Sequence, residues 1–129
     1  MSKPKGQVTI QTLAMPADTN ANGDIFGGWL VSQMDLAAGV LAKKIARGRV
    51  ATVAINSMTF LKPVHVGDVV SCHVELAKLG NTSMTVAVEV WAETLAYGDC
   101  YKVTEGMFVF VALDEHGKPR VVPKDSPEK

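Results

Sequence analysis

Several things are scarce in this chain, and each scarcity removes a class of protein. Cysteine occurs twice, at Cys72 and Cys100, and the simplest reading is a pair of free thiols in a reduced, cytoplasmic compartment. Neither sign of charge is in excess, with 13 basic and 13 acidic side chains. That leaves no general electrostatic reason to expect nucleic acid or an anionic membrane as partner. No apolar run approaches the length of a membrane span. Met1–Gly6 is polar, with Pro4 and none of the apolar core of a secretion signal. Neither an internal repeat nor a low-complexity tract is present. Histidine occurs three times, at His65, His73 and His116. They fall in a turn, a strand and a turn, with no spacing that would gather them round a metal. No metal is expected.

What is abundant is apolar surface. Hydrophobic residues make up 47% of the 129, enough for one domain with a sizeable core. For so small a chain the figure suggests that another subunit covers part of it. Residues 8–123 are read as that domain, with flexible ends at 1–7 and 124–129. Val8–Met15 reads as a strand ended by Pro16. From Gly28 the residues Leu30, Met34, Ala37, Ala38, Leu41 and Ile45 form a helical stripe. Val31, Leu36, Val40 and Ala42 make that helix apolar on nearly every side, as in a buried helix. Lys43, Lys44 and Arg47 suit its negative end, and Gly48 stops it. Four strand candidates follow, at 49–60, 69–79, 83–93 and 102–113. Short turns separate them, among them Gly80-Asn81 and Tyr97-Gly98-Asp99, and a further turn at Glu115–Lys118 follows the last. Short links imply antiparallel pairing. One sheet covers one flank of a helix but not its circumference. The expected fold is therefore α+β, an antiparallel sheet curled around one long central helix and closed by a second copy.

One stretch stands apart from this framework. Asp18–Phe26 is dense in Asn, Asp and Gly, which tolerate tight turns, and it runs into Gly27-Gly28 at the helix start. Asp35 is an isolated carboxylate on the helix, with Val31, Ser32, Ala38 and Gly39 three and four residues away. The run from Met15 to Trp29, continuing through Ser32-Gln33-Met34-Asp35, resembles the bacterial acyl-CoA thioesterases of the hotdog superfamily, the YciA type. The similarity continues through Gly48-Arg49-Val50, Phe60–Pro63, Val66–Val70 and Val88–Trp91, and spans about residues 10 to 123. It implies one helix wrapped by a five-stranded antiparallel sheet, and subunits paired so that two sheets run together, commonly as a trimer of dimers. It also implies hydrolysis of acyl-CoA to free acid and coenzyme A, with broad short- to medium-chain use. No cofactor is expected, coenzyme A being part of the substrate and product.

Thioester hydrolysis needs a polarised carbonyl and an activated water or a nucleophile. Gly27 and Gly28 stand where helix N–H groups lack partners and where no side chain blocks a carbonyl oxygen. That makes an oxyanion site, and the resemblance assigns it to the Gly28 N–H. The plainer reading is tight packing of loop against helix. Burying a lone carboxylate is costly, and the resemblance makes Asp35 the general base or the nucleophile. A carboxylate that caps loop N–H groups is the structural alternative. Asn20 matches an asparagine that works with the helical acid across the dimer interface, or else it shapes an Asx-turn as Asn22 and Asp24 do. Many relatives carry His where Phe26 stands, and Phe26 is expected near the acyl chain. For coenzyme A, the segment Lys78, Gly80, Asn81, Thr82 and Ser83 resembles the one that lines the nucleotide. Lys62 and the cluster Lys43, Lys44, Arg47 and Arg49 are further candidates. Trp29, Trp91 and Met34 read as packing. A 3-hydroxyacyl thioester dehydratase would want a His near the loop or helix, and none is expected there. A non-catalytic acyl-CoA binding or sensing module would have little use for Asp35.

Overall fold

A computed structural model describes residues 3–94 and 98–124 of the chain. Strand β1 (Gln7–Leu13) leads through a 3-10 turn at Pro16–Asp18 to helix α1 (Gly27–Ala46). Strands β2 (Val50–Phe60), β3 (Val69–Leu79), β4 (Ser83–Thr94) and β5 (Asp99–Ala112) follow. The five strands form one antiparallel sheet in the order β1-β3-β4-β5-β2.

The alternation in β4 shows why the sheet wraps the helix. Met84, Val86, Val88 and Val90 are buried, while Thr85, Ala87 and Glu89 between them are half-exposed. The inward set meets Leu30, Met34, Ala37, Ala38, Ala42, Ile45 and Ala46 of α1 in one core. The alanines let the sheet approach closely. The far flank of α1 differs from the expected helix buried nearly all round. Leu36 is 60% exposed and Val40 is exposed as well, because a single sheet of this curvature cannot reach them. Among the described residues no helix is long and apolar enough to cross a membrane.

The sheet order corrects the expected pairing of consecutive strands. β2 pairs with β5 and not with β3. Residues 61–68 therefore cross the end of the sheet, where Leu61 N–H bonds the Val103 carbonyl (2.7 Å) and Ile25 N–H bonds the Val64 carbonyl (3.0 Å). Val64 is fully buried there. The last strand also begins earlier than expected, at Asp99, because Asp99–Tyr101 pair with Ala92–Thr94. Of the expected turn, Tyr97 lies outside the described residues; Gly98 has φ +70 and bonds back to the Thr94 carbonyl.

The helix stop also differs in detail. Arg47 takes the left-handed conformation (φ 57) and its N–H bonds the Lys43 carbonyl (2.8 Å). Gly48 matters for space instead, since a Cβ there would lie 2.9 Å from Arg120 Nη2. That guanidinium donates to the Ala46 carbonyl (2.7 Å) and through Nε to the Leu113 carbonyl (2.9 Å). It caps the negative end of α1 with a cation.

Candidate active site

The N-terminus of α1, with Phe26 as its N-cap, carries neither a side-chain cap nor an acidic residue in its first turn. The N–H groups of Gly27 and Gly28 belong to the first turn, which has no intrahelical acceptors. Phe26 is 42% exposed, and its ring lies over Gly28, 3.2 Å from where a Cβ would stand. The Phe60 ring lies against Gly27 at 3.4 Å in the same sense. A shallow groove of about 300 Å³ opens beside them, lined by Ile25, Gly27, Leu30, Phe60, Leu61 and Val64, with Lys62 and Pro63 at its edge. Lys62 sits with its Nζ 5.8 Å over the Tyr101 ring.

Asp35 is half-buried on α1, and it is not partnerless. Thr52 Oγ1 on β2 donates to Asp35 Oδ1 at 2.7 Å. The sequence pointed to an acid without a basic neighbour on its own helix, and that part holds. It could not show the hydroxyl, because Thr52 comes from a strand 17 residues away. Nothing about Thr52 marks it in the sequence except its place in the first strand after the helix. One carboxylate oxygen is thus held by a neutral donor.

In the loop, Asn20 Oδ1 accepts the N–H groups of Asn22 (2.9 Å) and Asp24 (3.2 Å), and Asn20 N–H donates to the Asp24 carbonyl (2.7 Å). Its oxygen shapes the turn, the bland role, while its amide NH₂ is a separate donor. His65 Nδ1 lies 3.5 Å from Asp24 Oδ1. This corrects the expectation that no histidine lies near the loop; the crossing of 61–68 brings it there. The imidazole stands on Asp24 rather than at Asp35, however. Asp68, buried beside it, accepts from His65 N–H (3.1 Å) and from the Tyr101 hydroxyl (2.8 Å). Burial first, and that bond second, push the Tyr101 phenol well above its usual range.

The coenzyme A candidates divide between two ends. Lys62 is at the glycine end. Lys78 and the β3–β4 hairpin lie at the other, where Ser83 pairs with Val111 and Val50 pairs with Ala112. Gly80 N–H bonds the Ser83 carbonyl (2.8 Å), and a Cβ on Gly80 would stand 2.6 Å from Ser83 Oγ. The Thr82 carbonyl accepts from Ala112 N–H (2.9 Å), and the Asn81 carbonyl from Val122 N–H (2.9 Å). Lys43, Lys44 and Arg49 share this end with the close of α1. His73 faces away from buried Cys72, bonded to Ser71 Oγ at 3.0 Å. Met34 is core, and Trp91 is buried with its indole N–H on Glu89 (3.0 Å).

The arrangement of fold and site can be set beside known proteins. The model of the thioesterase superfamily matches residues 22–98, from the Asn22 turn to just beyond β4. The acyl-CoA thioester hydrolase YciA of Salmonella typhimurium is 56% identical over 123 residues, 93% of this chain and 92% of the relative. A solved hexameric thioesterase from Yersinia pestis superposes with a TM-score of 0.91 at 55% identity, covering 95% of this chain and 99% of that one. A solved hexameric broad specificity acyl-coenzyme A thioesterase superposes with a TM-score of 0.92 at 50% identity, covering 98% of this chain and 88% of that one. The chain belongs to the hotdog-fold thioesterase superfamily, among the YciA acyl-CoA thioester hydrolases.

Proposed function

We propose that this protein hydrolyses acyl-CoA thioesters to a free acid and coenzyme A, at a site completed by a second copy of the chain. The observation that carries the reading is the placing of Gly28 and Asp35 on one helix. They are two turns apart, roughly 10 Å along the axis. A reacting carbonyl must lie about 3 Å from its oxyanion donors, with the water and its base in hydrogen-bond reach. One chain cannot meet both demands.

Two chains can. β2 is an 11-residue edge strand in which Val53 is 57% and Ile55 43% exposed. An open apolar edge of that length invites pairing. Two copies of β2 paired antiparallel about a two-fold axis bring the Phe60 end of one strand beside the Val50 end of the other. Phe60 stands on Gly27, and Thr52 stands on Asp35. The glycine pair of one subunit then meets the carboxylate of its partner, with Asn20 on the loop that travels with the glycines. The exposed Leu36 and Val40 supply further surface to cover. A hexamer, as in the solved relatives, is three such dimers.

The chemistry follows from these positions. Thr52 holds Oδ1 of Asp35, and Oδ2 takes a proton from water. The water oxygen bonds the thioester carbon, and the Gly28 N–H holds the oxyanion as it forms. Collapse breaks the C–S bond, and the departing thiolate of coenzyme A takes up the proton. No bond change in this sequence calls for a cofactor. The apolar groove beside Gly27, with Phe26, suits short to medium acyl chains, and the hairpin with Lys78 takes the nucleotide. Free thiols at Cys72 and Cys100 fit a cytoplasmic enzyme.

Subunit complementation tests the shared site. Asp35→Asn and Gly28→Val chains, each inactive alone, are refolded together and thiol release from butyryl-CoA is followed. A mixed dimer holds one intact site, with Asp35 from one chain and Gly28 from the other, so activity returns. No return would place both groups in one chain's site. Crotonyl-CoA formed from 3-hydroxybutyryl-CoA would favour a dehydratase, and acyl-CoA binding without turnover by the unaltered protein would favour a sensor.

A further inference from the structure

The segment that follows β5 makes more bonds than a surface tail needs. Leu113 N–H donates to the Arg49 carbonyl (2.9 Å), and Arg120 N–H to the Ala112 carbonyl (2.9 Å). The Arg120 guanidinium crosses to the end of α1, and Val122 is 1% exposed, a full member of the core. Val122 N–H bonds the Asn81 carbonyl (2.9 Å), and Lys124 Nζ bonds the same carbonyl (3.2 Å) and that of Val122 (2.9 Å). Residues 113–124 therefore form a strap tying together the end of α1, the start of β2 and the β3–β4 hairpin.

Lys124 is the unusual member. An ammonium has three donors, and two carbonyls take two of them. Among the described residues it forms no ion pair with a carboxylate. The strap thus holds a positive charge in a fixed place on the hairpin, with one N–H to spare. Cations outnumber carboxylates at this end of the molecule, although Asp114 and Glu115 lie on the strap itself. Lys43, Lys44, Arg49 and Lys78 share this end of the molecule, while Asp114 is engaged with the N–H groups of His116 and Lys118. A fixed, exposed cation among other cations fits a polyanion.

We propose that the strap is part of the coenzyme A site, and that Lys124 donates its remaining N–H to a phosphate of the bound nucleotide. The inference rests on the reading that the Gly80–Ser83 hairpin receives that nucleotide. The site is within reach of the chemistry, since Ser83 lies across β5 from Ala51, two strand spacings or roughly 10 Å away. Ala51 is next to Thr52, the partner of Asp35.

The test compares three substrates that differ only in their anionic part: butyryl-CoA, butyryl-3′-dephospho-CoA and butyryl-pantetheine. The quantity read is the ratio of kcat/KM for butyryl-CoA to that for butyryl-pantetheine. Lys124→Met lowers the ratio by roughly fivefold, the worth of one exposed charge pair, through KM rather than kcat. Lys124→Glu lowers it further, and Lys124→Arg restores it. A smaller effect of Lys124→Met on the dephospho substrate than on butyryl-CoA assigns the contact to the 3′-phosphate. An equal effect assigns it to the pyrophosphate. An unchanged ratio in both the Met and Glu variants overturns the proposal. If Lys78→Met lowers the ratio in that case, the hairpin reading survives without Lys124. If Lys78→Met also leaves it unchanged, the hairpin itself is not the nucleotide site.

Discussion

At the scale of single residues, the pair Asp35–Thr52 carries the most consequence. A carboxylate that takes a proton from water works best when its geometry is fixed and its charge is not cancelled. A hydroxyl donor at 2.7 Å does the first without the second, whereas a lysine there would hold the charge down. Asp35→Asn is expected to lower kcat by about 10²–10⁴, the usual share of a general base, with acyl-CoA binding retained by calorimetry. Thr52→Val keeps the shape and removes the donor. It should lower kcat roughly tenfold, the scale of one hydrogen bond to a charged group, and leave the melting temperature nearly unchanged. An equal loss in KM and thermal stability would instead make Thr52 a packing residue. Asp35 was legible in the sequence as an acid out of place. Thr52 was not, because a hydroxyl on a strand has no signature until the fold sets it against the helix.

At the scale of elements, the start of α1 does two jobs. Its glycines let Phe26 and Phe60 fold down on the helix, and they leave its first N–H groups open. Gly28→Ala separates the two. Alanine favours helix over glycine by up to about 1 kcal/mol, and the half-exposed Phe26 ring can give way to a methyl at 3.2 Å. The melting temperature should therefore hold or rise. The methyl also narrows the approach to the oxyanion position, and kcat should fall at least about tenfold, towards the 10²–10³ of a lost donor. If activity survives intact, the glycine serves packing alone. The helix, its apolar stripe and four of the strands could be placed to within a residue or two from periodicity. The early start of β5 could not, since Tyr97-Gly98-Asp99 reads as a turn until Asp99–Tyr101 are found beside Ala92–Thr94.

At the scale of the whole molecule, burial links stability to alkaline pH. Burial pushes the Cys72 thiol from 9.0 up to about 12. The folded state thus favours the neutral thiol, while the unfolded chain ionises near the ordinary value. This stabilisation is complete below about pH 9 and is lost as the pH rises towards 12, at up to about 1.4 kcal/mol per pH unit. Tyr101, raised by burial and by Asp68, acts in the same direction at still higher pH. Urea midpoints measured from pH 8 to 10.5 should fall more steeply for the parent protein than for Cys72→Ala. Parallel slopes would mean that the thiol is already exposed on the way to unfolding.

The sequence by itself determined the local and the periodic: a long apolar helix, alternating strands, a turn-rich loop ending in two glycines, and a carboxylate without a helical partner. Each of these depends on residues within a few positions of one another, and the resemblance carried by the same residues named the family. Tertiary structure alone decided the rest. It put β2 beside β5 and so drew residues 61–68, with His65, across the loop. It set Thr52 on Asp35 and folded Arg120 and Lys124 back onto the helix end and the hairpin. These are pairings between distant segments, fixed by which surfaces pack together, and no local pattern records which partner a side chain will meet.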